Sequence, residues 1–126
     1  MKNTLISFFI FFSLIGFMLY SHNLLIKMCD EIIVICDKLE NDINNNDFNE
    51  SYNDSLSLIH RIEQSGSPIA IYINHSDLDY ILNEASKLNQ YIKFKSISDS
   101  LASVGSIRTY TTTIKQLQIP TLKNIF

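Results

Sequence analysis

The sequence predicts an all-α protein, an N-terminal transmembrane helix that continues into an antiparallel bundle of about four helices. Three observations carry that expectation. The first is an apolar run without charge, LISFFIFFSLIGFMLYSHNLL, from Leu5 to Leu25. The second is a succession of apolar stripes at alternating steps of three and four, which is helical spacing. The third is a set of short polar breaks, each followed by residues that cap helices.

The apolar run comes first. No charge falls between Lys2 and Lys27. A helix of roughly 20 residues, rising about 1.5 Å per residue, crosses a hydrocarbon core of about 30 Å. Ser7, Ser13 and Gly16 are tolerated in such a helix, and Tyr20 and His22 fall where amphipathic rings meet headgroups. A cleaved leader has a shorter apolar stretch, about 7–15 residues, and a small-x-small cleavage site. Here Met18-Leu19-Tyr20-Ser21-His22-Asn23 comes next, with no such pair, and Cys29 behind Ile26-Lys27-Met28 does not make a lipoprotein site. The run therefore reads as a signal anchor that stays, with residues 1–24 as anchor and 25–126 as the bundle domain. Lys2 on one side and Lys27 on the other nearly balance the positive-inside rule. The very short leader-like start favours a cytoplasmic N-terminus. The expected location is a single-pass cell-membrane protein whose bulk is extracytoplasmic.

The chain has 126 residues and a net charge of −3. Without the anchor it holds roughly 100 residues, enough for one domain with a modest core. Mild acidity and the lack of basic clusters argue against nucleic acid, which needs several Lys and Arg on one face. Cys29 and Cys36 are seven apart, about 10 Å along a helix, too far for a disulfide between them. They read as small core residues or, alternatively, as a bridge between chains.

Beyond the anchor, Leu25, Cys29, Ile32, Cys36, Leu39 and Ile43 form a seam whose register runs back through His22 to Met18. Anchor and first soluble helix are thus expected to be one rod. Ile33, Val34 and Ile35 should widen its apolar face, and Asn44-Asn45-Asn46 should end it, since amides compete for backbone bonds. Asp47 and Glu50 read as a capping box, opening a helix with the stripe Phe48, Tyr52, Leu56, Ile59 and Ile62. Gln64 to Pro68 interrupts it, and Ile69 to Ile73 reads as a helical turn or two. Ser76 and Asp79 cap a helix with Leu78, Ile81, Ala85, Leu88 and Ile92 on one face. Ser96 and Asp99 start the last, with Leu101, Val104, Ile107, Ile114 and Leu117. Gly105 and Thr111-Thr112-Thr113 weaken it, and Pro120 ends it. Leu122, Ile125 and Phe126 form a tail able to dock.

Two stretches, NHSDLDYIL at Asn74–Leu82 and the closing TLKNIF at Thr121–Phe126, resemble a family of short bacterial membrane-anchored proteins, domain of unknown function four-three-six-three. The resemblance covers the whole length and implies a membrane-anchored helical protein. It implies no activity. Family members run a longer charged helix where Ser65-Gly66-Ser67-Pro68 stands here.

Candidate chemistry is sparse. His75 beside Asp77 and Asp79 would suit a metal ligand or pH sensor, but metal sites need three or four converging ligands. A turn residue, with the two acids serving the helix's positive end, explains them better. His60 and Glu63 stand one turn apart in the reverse order of a di-metal Glu-x-x-His pair, and only once. They read as a solvated face, as do Glu31, Asp37 and Glu40 on the first helix. No glycine-rich phosphate loop and no nucleophile motif occurs. The sequence therefore points to no catalytic, cofactor-binding or metal residues, and to no enzyme. It points to a protein-interaction module held to lipid by its N-terminal helix, acting on a protein partner or on a second copy. The alternative is a ligand-sensing bundle that signals through a partner membrane protein.

Overall fold

The structure, a computed structural model, describes residues 1–64 and 75–118. They form four helices, α1 (Lys2–Asn44), α2 (Phe48–Gln64), α3 (His75–Lys93) and α4 (Ile97–Gln118), and no strand occurs among the described residues. The expected turn over Ile69–Ile73, the stop at Pro120 and the docking tail lie outside them. Each helix packs on the next in chain order, and α4 closes the ring against α1. Cross-pairings fix the antiparallel sense: Lys38 late in α1 meets Asp54 early in α2, and Glu31 meets Arg61 near the end of α2.

α1 is the expected single rod, about 65 Å long at 1.5 Å per residue. From Leu5 to Tyr20 its large apolar side chains stand exposed, Phe9 at 75%. Burial begins at Ser21 and continues through Leu25, Met28, Cys29, Ile32, Cys36, Leu39 and Ile43. The whole predicted seam is thus covered. Val34 is not part of it: it is 66% exposed, with Ile33 and Ile35 partly covered beside it, because the buried face spans a narrower arc than three successive apolar residues occupy.

The rod ends at the expected asparagines. Asn46 takes a left-handed φ of 60°, and the amides of Asn46 and Asp47 turn back to the carbonyls of Ile43 and Asp42. This is a Schellman ending, in which Asn tolerates the left-handed residue better than most. Lys95, with a φ of 57°, repeats it between α3 and α4. The caps that open the next helices form only in part. Asp47 accepts the Glu50 amide at 3.2 Å, while the Glu50 side chain turns to Lys38. Ser96 precedes α4, and its hydroxyl donates to Asp99 at 2.7 Å. α3 begins at His75, which places Ser76 in its first turn.

The α2 stripe needs correction. Its buried face is Ser51, Asp54, Ser55, Leu58 and Ile62, whereas Tyr52 and Leu56 are exposed. Phe48 and Ile59 pack at the edge of the core. Serines carry the first two turns because their hydroxyls are satisfied locally: Ser51 donates to the Asp47 carbonyl and Ser55 to that of Tyr52, both at 2.7 Å. On α3 the predicted face holds, with Ile81, Ala85, Leu88 and Ile92 buried and Leu78 packed against them. On α4, Val104, Ile107 and Ile114 are core, while Ser100, Ser103 and Thr111 fill the intervening turns. Leu117, expected in the stripe, is 69% exposed.

Candidate functional site

The densest group of ionisable side chains sits across the α1–α2 hairpin. Lys38 and Asp42 lie one turn apart near the end of α1, and Glu50 and Asp54 one turn apart at the start of α2. The tight turn at Asn45–Asp47 folds the two pairs together. Lys38 Nζ stands 3.0 Å from Asp54 Oδ1 and 3.6 Å from Glu50 Oε2. One oxygen from each of Asp42, Glu50 and Asp54 lies within 4.8 Å of the others.

The electrostatics of the group derive from its placement. The hydrogen bond to Asp54 holds the Lys38 ammonium in its charged form and pushes its pKa up. Oδ2 of Asp42 and Oδ2 of Asp54 are both buried without a donor. A proton shared by the two carboxylates would supply the missing bond. That shared bond to Asp54, then desolvation, then the Asp54 charge raise the Asp42 pKa above the usual carboxylate value. The negative end of α1 acts on Asp42 in the same sense. Three such carboxylates offer oxygens of the kind a hard cation takes, but the Lys38 ammonium already supplies positive charge at that point.

Two further polar bonds cross between helices. Asn89 on α3 donates to Ser55 on α2 at 2.8 Å, in the core. Tyr110 on α4 donates to the Asp77 carboxylate on α3, which pushes the phenol pKa up, and its ring lies 4.4 Å from that of Tyr80.

Glu31, Asp37 and Glu40 do not form a merely wet face. Glu31 pairs with Arg61 of α2, and Asp37 and Glu40 both pair with Arg108 of α4. Asp30 adds a pair with Lys115 at 2.5 Å. The acids flank the buried seam on both sides and tie α1 to its two neighbours. Outside them, Ile26, Val34 and Ile35 line an open groove along the outer face of α1, rimmed by Lys27, Asp30 and Glu31.

The other weighed residues stay apart. His60 and Glu63 are both exposed on α2. Asp79 is exposed on α3, and His75 is the first residue of that helix, its side chain outside those described. Cys29 and Cys36 are free and buried. Burial pushes their thiols up to about 11 and about 12. Sequence reasoning missed the Lys38–Asp42–Glu50–Asp54 group. Its signal was present as two pairs spaced by four on either side of the asparagine turn.

A family model, Domain of unknown function (DUF4363), matches residues 19–125. No curated protein and no solved structure matches the chain.

Proposed function

The chain belongs to the family of domain of unknown function DUF4363, and for it we propose a role as a membrane-anchored, extracytoplasmic helical module that binds another protein. The observation that carries this reading is the change in α1 at Ser21. Before it, apolar side chains from Leu5 to Tyr20 are exposed; after it, the seam is buried. Lys2–Asn44 is long and apolar enough to cross a membrane. Exposed apolar surface on this scale calls for a partner phase, and a bilayer has the matching thickness. Retention of the anchor gains support from the core. Cleavage between Ser21 and Met28 would remove the buried residues Ser21 and Leu25.

A non-catalytic role gains support from the side chains inside the bundle. The thiols are protonated at neutral pH and so are poor nucleophiles. Lys38, Arg61, Arg108 and Lys115 each pair with acids across helix seams. The bundle of α1–α4 would then present its helix faces as one body.

Resistance to carbonate extraction, with intact mass unchanged, tests the anchor. A mature mass beginning between Tyr20 and Met28 would overturn it. Sidedness is tested by an impermeant maleimide on whole cells after mild unfolding, which should reach Cys29 and Cys36. Labelling only after lysis would reverse the topology. The groove beside Ile26, Val34 and Ile35 favours a second reading, a bundle that senses an amphipathic ligand and reports through a partner membrane protein.

A further inference from the structure

We propose that the outer face of α1 is a dimer interface, on which a second copy of the chain stands parallel and two-fold related, Val34 against Val34 and Lys27 beside Asp30 of the second copy. This inference rests on the anchor reading, because two chains held by the same N-terminal helix leave the membrane in the same sense.

α2 and α4 take the two sides of α1, and the arc between them is open. Val34 stands exposed there, in the groove lined by Asn23, Ile26 and Ile35. At about 100° per residue, Asn23, Val34 and Asn41 lie within about 10° of the line opposite the buried seam. Leu5 and Gly16 fall on the same line in the exposed run, with Phe9 and Phe12 about 30° to either side. The face is therefore continuous from the anchor into the bundle. A Cβ on Gly16 would meet nothing within 4 Å, so two backbones can come close at that level.

Charge decides what fits this face. No residue on the line is charged. Lys27 and Lys38 lie about 30° and 50° to one side of it, and Asp30 and Asp37 about 30° and 50° to the other. A two-fold axis along the rods lays each flank against the opposite flank of the other copy. Basic then meets acidic on both sides. Lys27 faces Asp30 of the second copy, about 4.5 Å further along the axis, and Lys38 faces its Asp37, about 1.5 Å away along the axis.

These charges are available. Among the described residues Lys27 has no ion pair within the chain. Asp30 and Asp37 lean on Lys115 and Arg108, yet their side chains remain 51% and 64% exposed. Glu31, further round on the basic side, is engaged by Arg61. On the line itself like meets like. Asn23 can both donate to and accept from its twin, and one polar Asn in such a seam fixes the register. Val34 gains apolar cover. A small amphiphile would cover Ile26 and Val34 too, but it would leave the division of charge across the face unused.

Disulfide trapping in native membranes tests the face. Full-length Val34→Cys and Asn23→Cys are oxidised briefly with copper phenanthroline. Wild type, whose Cys29 and Cys36 are buried, and Ser57→Cys, at an exposed site on α2, serve as controls. Most of the Val34→Cys and Asn23→Cys chains should run as covalent dimers, and the controls as monomers. Adding Lys27→Glu to Val34→Cys should cut the dimer about fivefold, since it sets acid against acid on both flanks. Carbonate extraction of the same membranes checks the anchor separately. A chain that pellets but traps no more dimer at Val34→Cys than at Ser57→Cys overturns the interface while the anchor stands, and leaves the groove free for a small amphiphile. Trapping of Val34→Cys to a different, heavier chain overturns the second copy as occupant. A dimer undiminished by Lys27→Glu overturns the charge-matched two-fold. A chain that carbonate releases removes the anchor, and the parallel dimer with it.

Discussion

Ile32 and Val34 are β-branched apolar residues two positions apart on α1, yet the first is fully buried and the second is 66% exposed. Replacing each with Ala therefore separates packing from hydrophobicity. Ile32→Ala removes three carbons from the core, about 2.4 kcal/mol at roughly 0.8 per methylene. The cavity left behind adds to this, and large-to-small core changes typically total about 2–5 kcal/mol. Ala returns about 0.4 kcal/mol of helix propensity. The net loss is about 2–4 kcal/mol, against about 5–10 for a domain of this size. At about 4 °C per kcal/mol, the midpoint should fall by about 8–16 °C. Val34→Ala trims solvent-exposed carbons and should stay within about 0.5 kcal/mol of wild type. The buried thiols provide the assay. Brief maleimide pulses along a temperature ramp, on the full chain in mild detergent, label Cys29 and Cys36 only when the bundle opens. The apolar part of α1, which micelles keep helical, does not contribute to that signal. Equal midpoints for the two variants would refute the assignment of Ile32 to the core and leave α1 as a stalk packed on nothing.

The corrected α2 register is open to the same assay: Leu58→Ala should cost about 2–4 kcal/mol and Leu56→Ala less than about 1, and the reverse order would restore the stripe through Tyr52 and Leu56. Asp42→Asn should stabilise the hairpin at neutral pH, because the amide donates to Asp54 without needing a proton. The folded pKa of Asp42 is raised, so the native state holds more protons than the unfolded one above 3.8, and stability falls as pH rises from there. A pH series of denaturant midpoints in which Asp42→Asn keeps the wild-type slope would contradict the shared proton. The cysteines give a second pH window. Both thiols ordinarily titrate at 9.0 and are pushed to about 11 and about 12 in the fold. The unfolded chain therefore loses protons first, and stability falls above about pH 9. Melts followed by circular dichroism should show a shallower decline for Cys36→Ala, and an unchanged decline would mean that the thiol is not desolvated.

The parts of the fold that were legible in the sequence are those where a stripe consists of large aliphatic residues. The α1 seam and the α3 face could be read because Leu, Ile and Cys recur there without interruption. The all-α bundle and its order came from these and from the caps. α2 was misread because its buried turns are built from Ser51, Asp54 and Ser55, which no hydrophobicity pattern selects. Val34 and Leu117 were misassigned for the opposite reason. They are apolar, but no neighbouring helix covers them. The acids of α1 looked like a wet face because their partners, Arg61, Arg108 and Lys115, lie 30 to 85 residues away in the chain. The Asp42–Asp54 contact is similarly hidden. Each half is an ordinary spacing of four, and only the tightness of the Asn46 turn brings the halves together.

The passage of α1 from exposed to buried between Tyr20 and Ser21 occurs within one unbroken helix. For an anchored chain this leaves no slack at the joint. A bilayer thicker than the exposed run would have to draw Leu25 or Met28 out of the bundle, at about 1.5–3 kcal/mol for each side chain. A thinner bilayer is met by tilting the helix. Because the same helix is the spine of the bundle, its tilt swings the whole domain relative to the surface. Local bilayer thickness would thereby set the angle at which the bundle meets whatever it binds.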